Sequence, residues 1–100
     1  MNAKEEFINL SKGLTVIAAV ILYEPDYNTE ITIRLKASHT QEDLEYFLNQ
    51  LDFEYDSGYG RQYLKGTVWF LKDCWATRGE YDGSEWWCMH SRPELPEKLL

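Results

Sequence analysis

The spacing of apolar positions changes several times along this chain, and each change marks an element. From Leu14 to Tyr23 the run LTVIAAVILY is unbroken and rich in β-branched residues, which predicts a strand buried on both faces. Pro25-Asp26-Tyr27-Asn28 supplies a turn. The stretch Glu30 to Ala37 then alternates, with Ile31, Ile33 and Leu35 on one side and Thr32, Arg34 and Lys36 on the other. At Thr40 the period lengthens. Gln41, Glu42 and Asp43 follow a capping residue, and Leu44, Phe47, Leu48 and Leu51 recur at helical spacing, predicting an amphipathic helix over Gln41–Leu51. Ala3 to Lys12 carries a shorter helical pattern, with Phe7 and Leu10 on one side and Gly13 at its end. After a turn-rich loop, Asp52 to Gly60, strand character resumes from Gln62 to Leu71. Two turn signals, Lys72-Asp73 and Asp82-Gly83, then divide the remainder into a three-stranded meander.

The elements together predict an α+β fold, an antiparallel sheet in β-β-α-β-β-β order with the Gln41 helix on one face. One domain over residues 1–100 is expected, with a loosely held tail from about residue 92. If both turns have two residues, Leu71 pairs with Cys74 and Tyr81 with Ser84, and alternation sorts the side chains. Leu64, Val68, Phe70, Trp75, Tyr81, Trp86 and Cys88 fall on the face that receives the helix. Trp69, Ala76, Arg78, Glu80, Glu85, Trp87 and Met89 fall on the other, with Trp87 against the Arg78 guanidinium. Large aromatics beside arginine, flanked by Glu80 and Glu85, have the composition of an interface hot spot. The competing reading makes Trp69 and Trp87 a second core layer, covered by the N-terminal helix or by a dimer partner.

Charge narrows the choice of partner. Ten basic and 17 acidic residues give a net charge of -7, which repels phosphate backbones and anionic membranes and argues against direct nucleic-acid binding. No Lys or Arg lies between Lys36 and Arg61, whereas Glu42, Asp43, Glu45, Asp52, Glu54 and Asp56 do. This acidic edge is a solvated face or a surface that steers the domain toward a basic groove. The longest apolar run has ten residues, half of the roughly 20 that a membrane-spanning helix needs. Glu5 and Glu6 ahead of it and Tyr23-Glu24-Pro25 after it do not suit a secretion signal, so a cytoplasmic location is expected.

Candidate chemistry is sparse. Cys74, Cys88 and His90 lack the close cysteine pair and fourth ligand of a tetrahedral zinc site. In the register above, Cys88 faces Thr77 and Cys74 faces Ser91, with the sulfurs on opposite faces, so both read as free, buried, small hydrophobes. Glu80, Asp82, Glu85 and His90 have no metal-hydrolase spacing; Asp82 suits the turn, and the two glutamates suit a solvated strand end. His39 sits at the helix entrance. No phosphate-binding loop, dinucleotide fingerprint, nucleophile elbow or zinc-protease motif occurs, and no cofactor, metal or catalytic residue is expected.

The stretch Gly66-Thr-Val-Trp-Phe70, then Trp75 and Arg78-Gly-Glu-Tyr-Asp-Gly-Ser-Glu-Trp-Trp87, resembles a segment of small proteins of bacteriophages and prophages, with Lys72-Asp73-Cys74 in place of an Asp-Gly type turn. The resemblance implies a phage source. By analogy of class, small acidic phage proteins without catalytic motifs often act by docking on host machines, among them CRISPR effectors and restriction enzymes with basic grooves. The leading expectation is therefore a phage-encoded, non-catalytic inhibitor of a host defence or nucleic-acid-handling protein in the bacterial cytoplasm, of the anti-CRISPR type. Its contact would be the Trp69, Arg78, Trp87 face or the acidic edge. A small-ligand module or minimal enzyme with an aromatic stacking platform, and a homodimeric assembly protein, are the alternatives.

Overall fold

The computed structural model describes residues 1–58, 61–93 and 95–99, so Tyr59 and Gly60 of the Gly58-Tyr59-Gly60 turn signal and part of the tail lie outside the described residues. Helix α1 (Ala3–Ser11) comes first, then strands β1 (Val16–Asp26) and β2 (Thr29–Leu35), helix α2 (Gln41–Gln50), and strands β3 (Leu64–Phe70), β4 (Cys74–Tyr81) and β5 (Ser84–Ser91). The strands form one antiparallel sheet in the order β2-β1-β3-β4-β5. The α+β class is as the hydrophobic pattern predicts. The element order agrees only in part, because α1 precedes the strands.

Local chemistry accounts for the helices. Asn2 caps α1 by accepting the Glu5 N–H at 2.9 Å. Thr40 and Asp43 close a reciprocal capping box at α2, each side chain accepting the other's backbone N–H. Both helices lie on the same side of the sheet. Phe7 of α1 meets Phe47 of α2 edge to face at 5.2 Å, and the two rings share a core with Ala19, Ile21, Ile33, Leu35, Leu51, Leu64, Val68, Phe70 and Ala76. The segment after α2 runs back beside the N-terminus: the Ala3 N–H donates to the Phe53 carbonyl and the Tyr55 N–H to that of Met1. This lacing brings Tyr55 into the core.

The meander departs from expectation by one residue. The Asp82-Gly83 turn is as predicted, both residues at positive φ, and Tyr81 pairs with Ser84. The first turn has three residues, with Phe70, not Leu71, opposite Cys74, and with Lys72 and Asp73 both in the left-handed region. A shift of one residue moves every side chain of β4 and β5 to the opposite face relative to β3. Ala76, Arg78, Glu85 and Trp87 therefore lie under the helices beside Val68 and Phe70. Trp75, Tyr81, Trp86 and Cys88, expected in the core, stand on the uncovered face with Trp69. Tyr81 is 76% exposed, and Glu85, expected at a solvated strand end, is buried. In β1, Ala18, Val20 and Leu22 are only half-buried, because that face has no helix above it. Ile31, expected inward, is exposed on edge strand β2.

Among the described residues, no helix is long and apolar enough to cross a membrane. Gly66 lies against the β1 backbone, opposite Ile21. Its φ is +148°, and a Cβ there would stand 2.2 Å from the Val20 carbonyl oxygen. Gly66→Ala is expected to lower the unfolding free energy by about 3 kcal/mol or more, since rigid backbone must move, and urea unfolding of the two proteins side by side checks this.

Candidate functional site

The residues expected to form one binding face are divided between the two sides of the sheet. Arg78, Glu80, Glu85, Trp87 and Met89 are on the helical side and Trp69 is on the other. Arg78 does lie opposite Trp87 with its guanidinium 5.0 Å from the indole, but the pair packs inward.

Arg78 is the centre of a buried ionic cluster. Its two terminal nitrogens reach Glu6 of α1 at 3.0 Å and Glu85 of β5 at 2.5 Å, and it also donates to the Tyr55 hydroxyl at 3.0 Å. The Arg78 and Glu85 side chains are 1% and 0% exposed. Tyr55 donates its hydroxyl proton to the second oxygen of Glu6. Beyond Thr67–Thr77, where the β3–β4 ladder ends, the Glu85 carboxylate accepts the backbone N–H groups of Tyr63 at 2.6 Å and Leu64 at 3.0 Å. Burial works against the charge on Arg78, yet Glu6 and Glu85 offset it, and its pKa moves above the ordinary value. Burial, with the hydrogen bond to Glu6, pushes the Tyr55 hydroxyl well above the usual tyrosine range. The cluster joins α1, β3, β4 and β5 and offers no reacting group to solvent. Its members were missed as a unit because Glu6 and Arg78 are 72 positions apart.

The uncovered face carries the exposed aromatics. Trp69 and Trp75 are cross-strand neighbours, and Trp75 in turn pairs with His90. The Trp75 and His90 rings stack at 5.5 Å, and His90 Nε2 lies 2.8 Å from the Thr77 hydroxyl. Trp86 crosses Gly79, where a Cβ would meet its indole nitrogen at 2.8 Å. Trp69 is 44% and Trp86 42% exposed. Of the outward positions on β3, β4 and β5, only Lys65 bears a formal charge, and it pairs with Glu24 at 3.5 Å. At the β3–β4 end this face opens into a groove of about 700 Å³, walled by Trp69 and Trp75 and bordered by Lys72 and Arg92.

The acidic edge belongs to the helical layer, and much of it has local work. Asp43 closes the α2 cap, and the Thr40 backbone N–H holds its carboxyl below the usual range. Asp52 accepts from Asn2, Glu54 pairs with the N-terminal amine and Asp56 accepts from Gly58. Glu42 and Glu45 project into solvent. Cys74 and Cys88 are free and half-buried, on opposite faces. His39 holds the Lys36 carbonyl at 2.8 Å, at the entrance to α2. Among the described residues, no three or more His, Cys, Asp and Glu side chains gather as a metal site.

The chain matches no family model, no curated protein and no solved structure.

Two measurements probe the cluster. Arg78→Met leaves Glu6 and Glu85 without their cation and is expected to cost about 3–5 kcal/mol in urea unfolding. Tyr55 is kept protonated in the fold, whereas a tyrosine in the unfolded chain ionises near pH 10. The unfolded state therefore loses its proton first, and stability falls as pH rises beyond 10. Denaturant midpoints measured across pH 9 to 11.5 should decline, and the decline should be shallower in Tyr55→Phe.

Proposed function

We propose that this protein is a non-catalytic docking protein that uses the uncovered face of its sheet, and that it is a phage-encoded inhibitor of a host defence or nucleic-acid-handling protein. One observation carries the docking part of the reading: Trp69 and Trp86 stand exposed on three strands whose outward positions bear a single formal charge, already paired. Depletion of charge with enrichment of aromatics is the composition of an interface centre. The carboxylates of the α2 edge lie in the opposite layer, where they steer the molecule toward a basic surface without entering the apolar contact. The resemblance of residues 66–87 to a phage segment supports the source, and with it a host bacterial cytoplasm as the place of action. A CRISPR effector is the concrete target.

The test is plaque formation. Expressed in a bacterium whose CRISPR system targets an infecting phage, the protein should raise plaquing by at least about a hundredfold. Trp69→Ala with Trp86→Ala should abolish that rise while the thermal melt changes by no more than a few degrees. Unchanged plaquing across a panel of CRISPR systems overturns the anti-CRISPR reading, and full activity in the double variant overturns the choice of face.

A further inference from the structure

We propose that the groove at the β3–β4 end of the sheet is a nucleotide site, in which a base stacks against Trp69 and Trp75 while its phosphate lies against Lys72 and Arg92. The volume, about 700 Å³, is in the range of small-ligand sites, and the walls are largely apolar with a few polar groups at the border. Trp75 is fixed before any ligand arrives: His90 stacks on the indole and the Thr77 hydroxyl holds His90. A ring held in this way loses little freedom on binding a flat partner.

The border is built at a cost. Lys72 and Asp73 take φ values of 69° and 55°, uncommon for residues with side chains, and two in succession concentrate strain at one turn. The Arg92 N–H donates to the Asp73 carbonyl at 3.0 Å, tying the end of β5 to this turn and bringing Arg92 beside Lys72. Among the described residues neither cation forms an ion pair. A second cavity, about 450 Å³, continues from the first past Lys72, Asp73 and Arg92 to Leu95. The net charge of -7 thus does not describe this corner, where, among the described residues, Lys72 and Arg92 stand beside one carboxylate, Asp73. A ligand that is flat and aromatic at one end and anionic at the other satisfies both the walls and the border, and a nucleotide has that form. Stacking on aromatic side chains is the usual way in which sheet faces hold bases.

The nucleotide is either free or one unit of a single strand, and titration of the ¹⁵N-labelled full chain separates the two. The indole N–H signals of the four tryptophans are followed while AMP, adenosine, inorganic phosphate or a short single-stranded oligonucleotide is added. AMP should move the Trp69 and Trp75 signals and leave Trp87 in place; adenosine should bind about tenfold more weakly, and phosphate alone should not move the indoles. Lys72→Asn, which tolerates the left-handed turn, combined with Arg92→Gln should lower AMP affinity about tenfold without altering the thermal melt. An oligonucleotide that binds more tightly than AMP assigns the groove to a single strand, and one that binds no more tightly assigns it to free nucleotide. No indole shift with any nucleotide or the oligonucleotide up to about 10 mM overturns the proposal, as does equal AMP affinity in the charge variant. So does an acidic aromatic peptide that moves the same signals where nucleotides do not. The two sites share Trp69, but the charge variant keeps Trp69 and Trp86, so it tests the groove without altering the docking pair.

Discussion

The guanidinium of Arg78 is the interaction on which the remaining structure depends. It sits on β4 beneath the helices, with Glu6 of α1 on one side, Glu85 of β5 on the other, and the Tyr55 and Trp87 rings above and beside it. A buried charge is tolerated only when its partners are in place. Partnering its two terminal nitrogens here holds α1 on the sheet, draws the segment around Tyr55 against the N-terminus, and lets Glu85 bond the start of β3 where the ladder to β4 has ended. Replacing such a cluster with apolar residues of the same volume is often neutral or stabilising. The ionic cluster adds to the register that the apolar pattern already favours, because a slip of one residue places both charged side chains on the opposite face.

That choice of register decides which tryptophans face outward. With Arg78 and Trp87 turned inward, Trp75 and Trp86 turn outward to join Trp69, and small Ala76 fills the fully buried place beside Val68. The charges divide in the same sense. The acidic edge from Glu42 to Asp56 stands on the helical layer, whereas the outward side of β3 to β5 is almost uncharged and has cations at the groove border. A sheet with one packed face ordinarily presents polar residues on the other. Here the second face is aromatic, and that is the feature on which the proposed docking role rests.

Much of the architecture was legible in the sequence. The α2 stripe and its Thr40 cap, the alternation in β2, the Asp82-Gly83 hairpin and the pairing of Arg78 with Trp87 all depend on residues close together in the chain, where spacing and turn chemistry act directly. The acidic edge could be read because charge runs are local. The division of side chains between the faces of β4 and β5 was not legible, since it rests on whether one turn contains two residues or three, and Lys72 and Asp73 are not residues whose identity announces left-handed backbone.

The sequence by itself determined an α+β chain with five strands' worth of β character, a capped α2, an acidic helical region and an excess of tryptophan in the last third. Only the tertiary structure decided which tryptophans face outward. The physical reason is that a side chain's face within one strand follows from alternation, but the face of one strand relative to the next follows from pairing. That pairing is held by Glu6 and Tyr55, which reach Arg78 from 72 and 23 residues away.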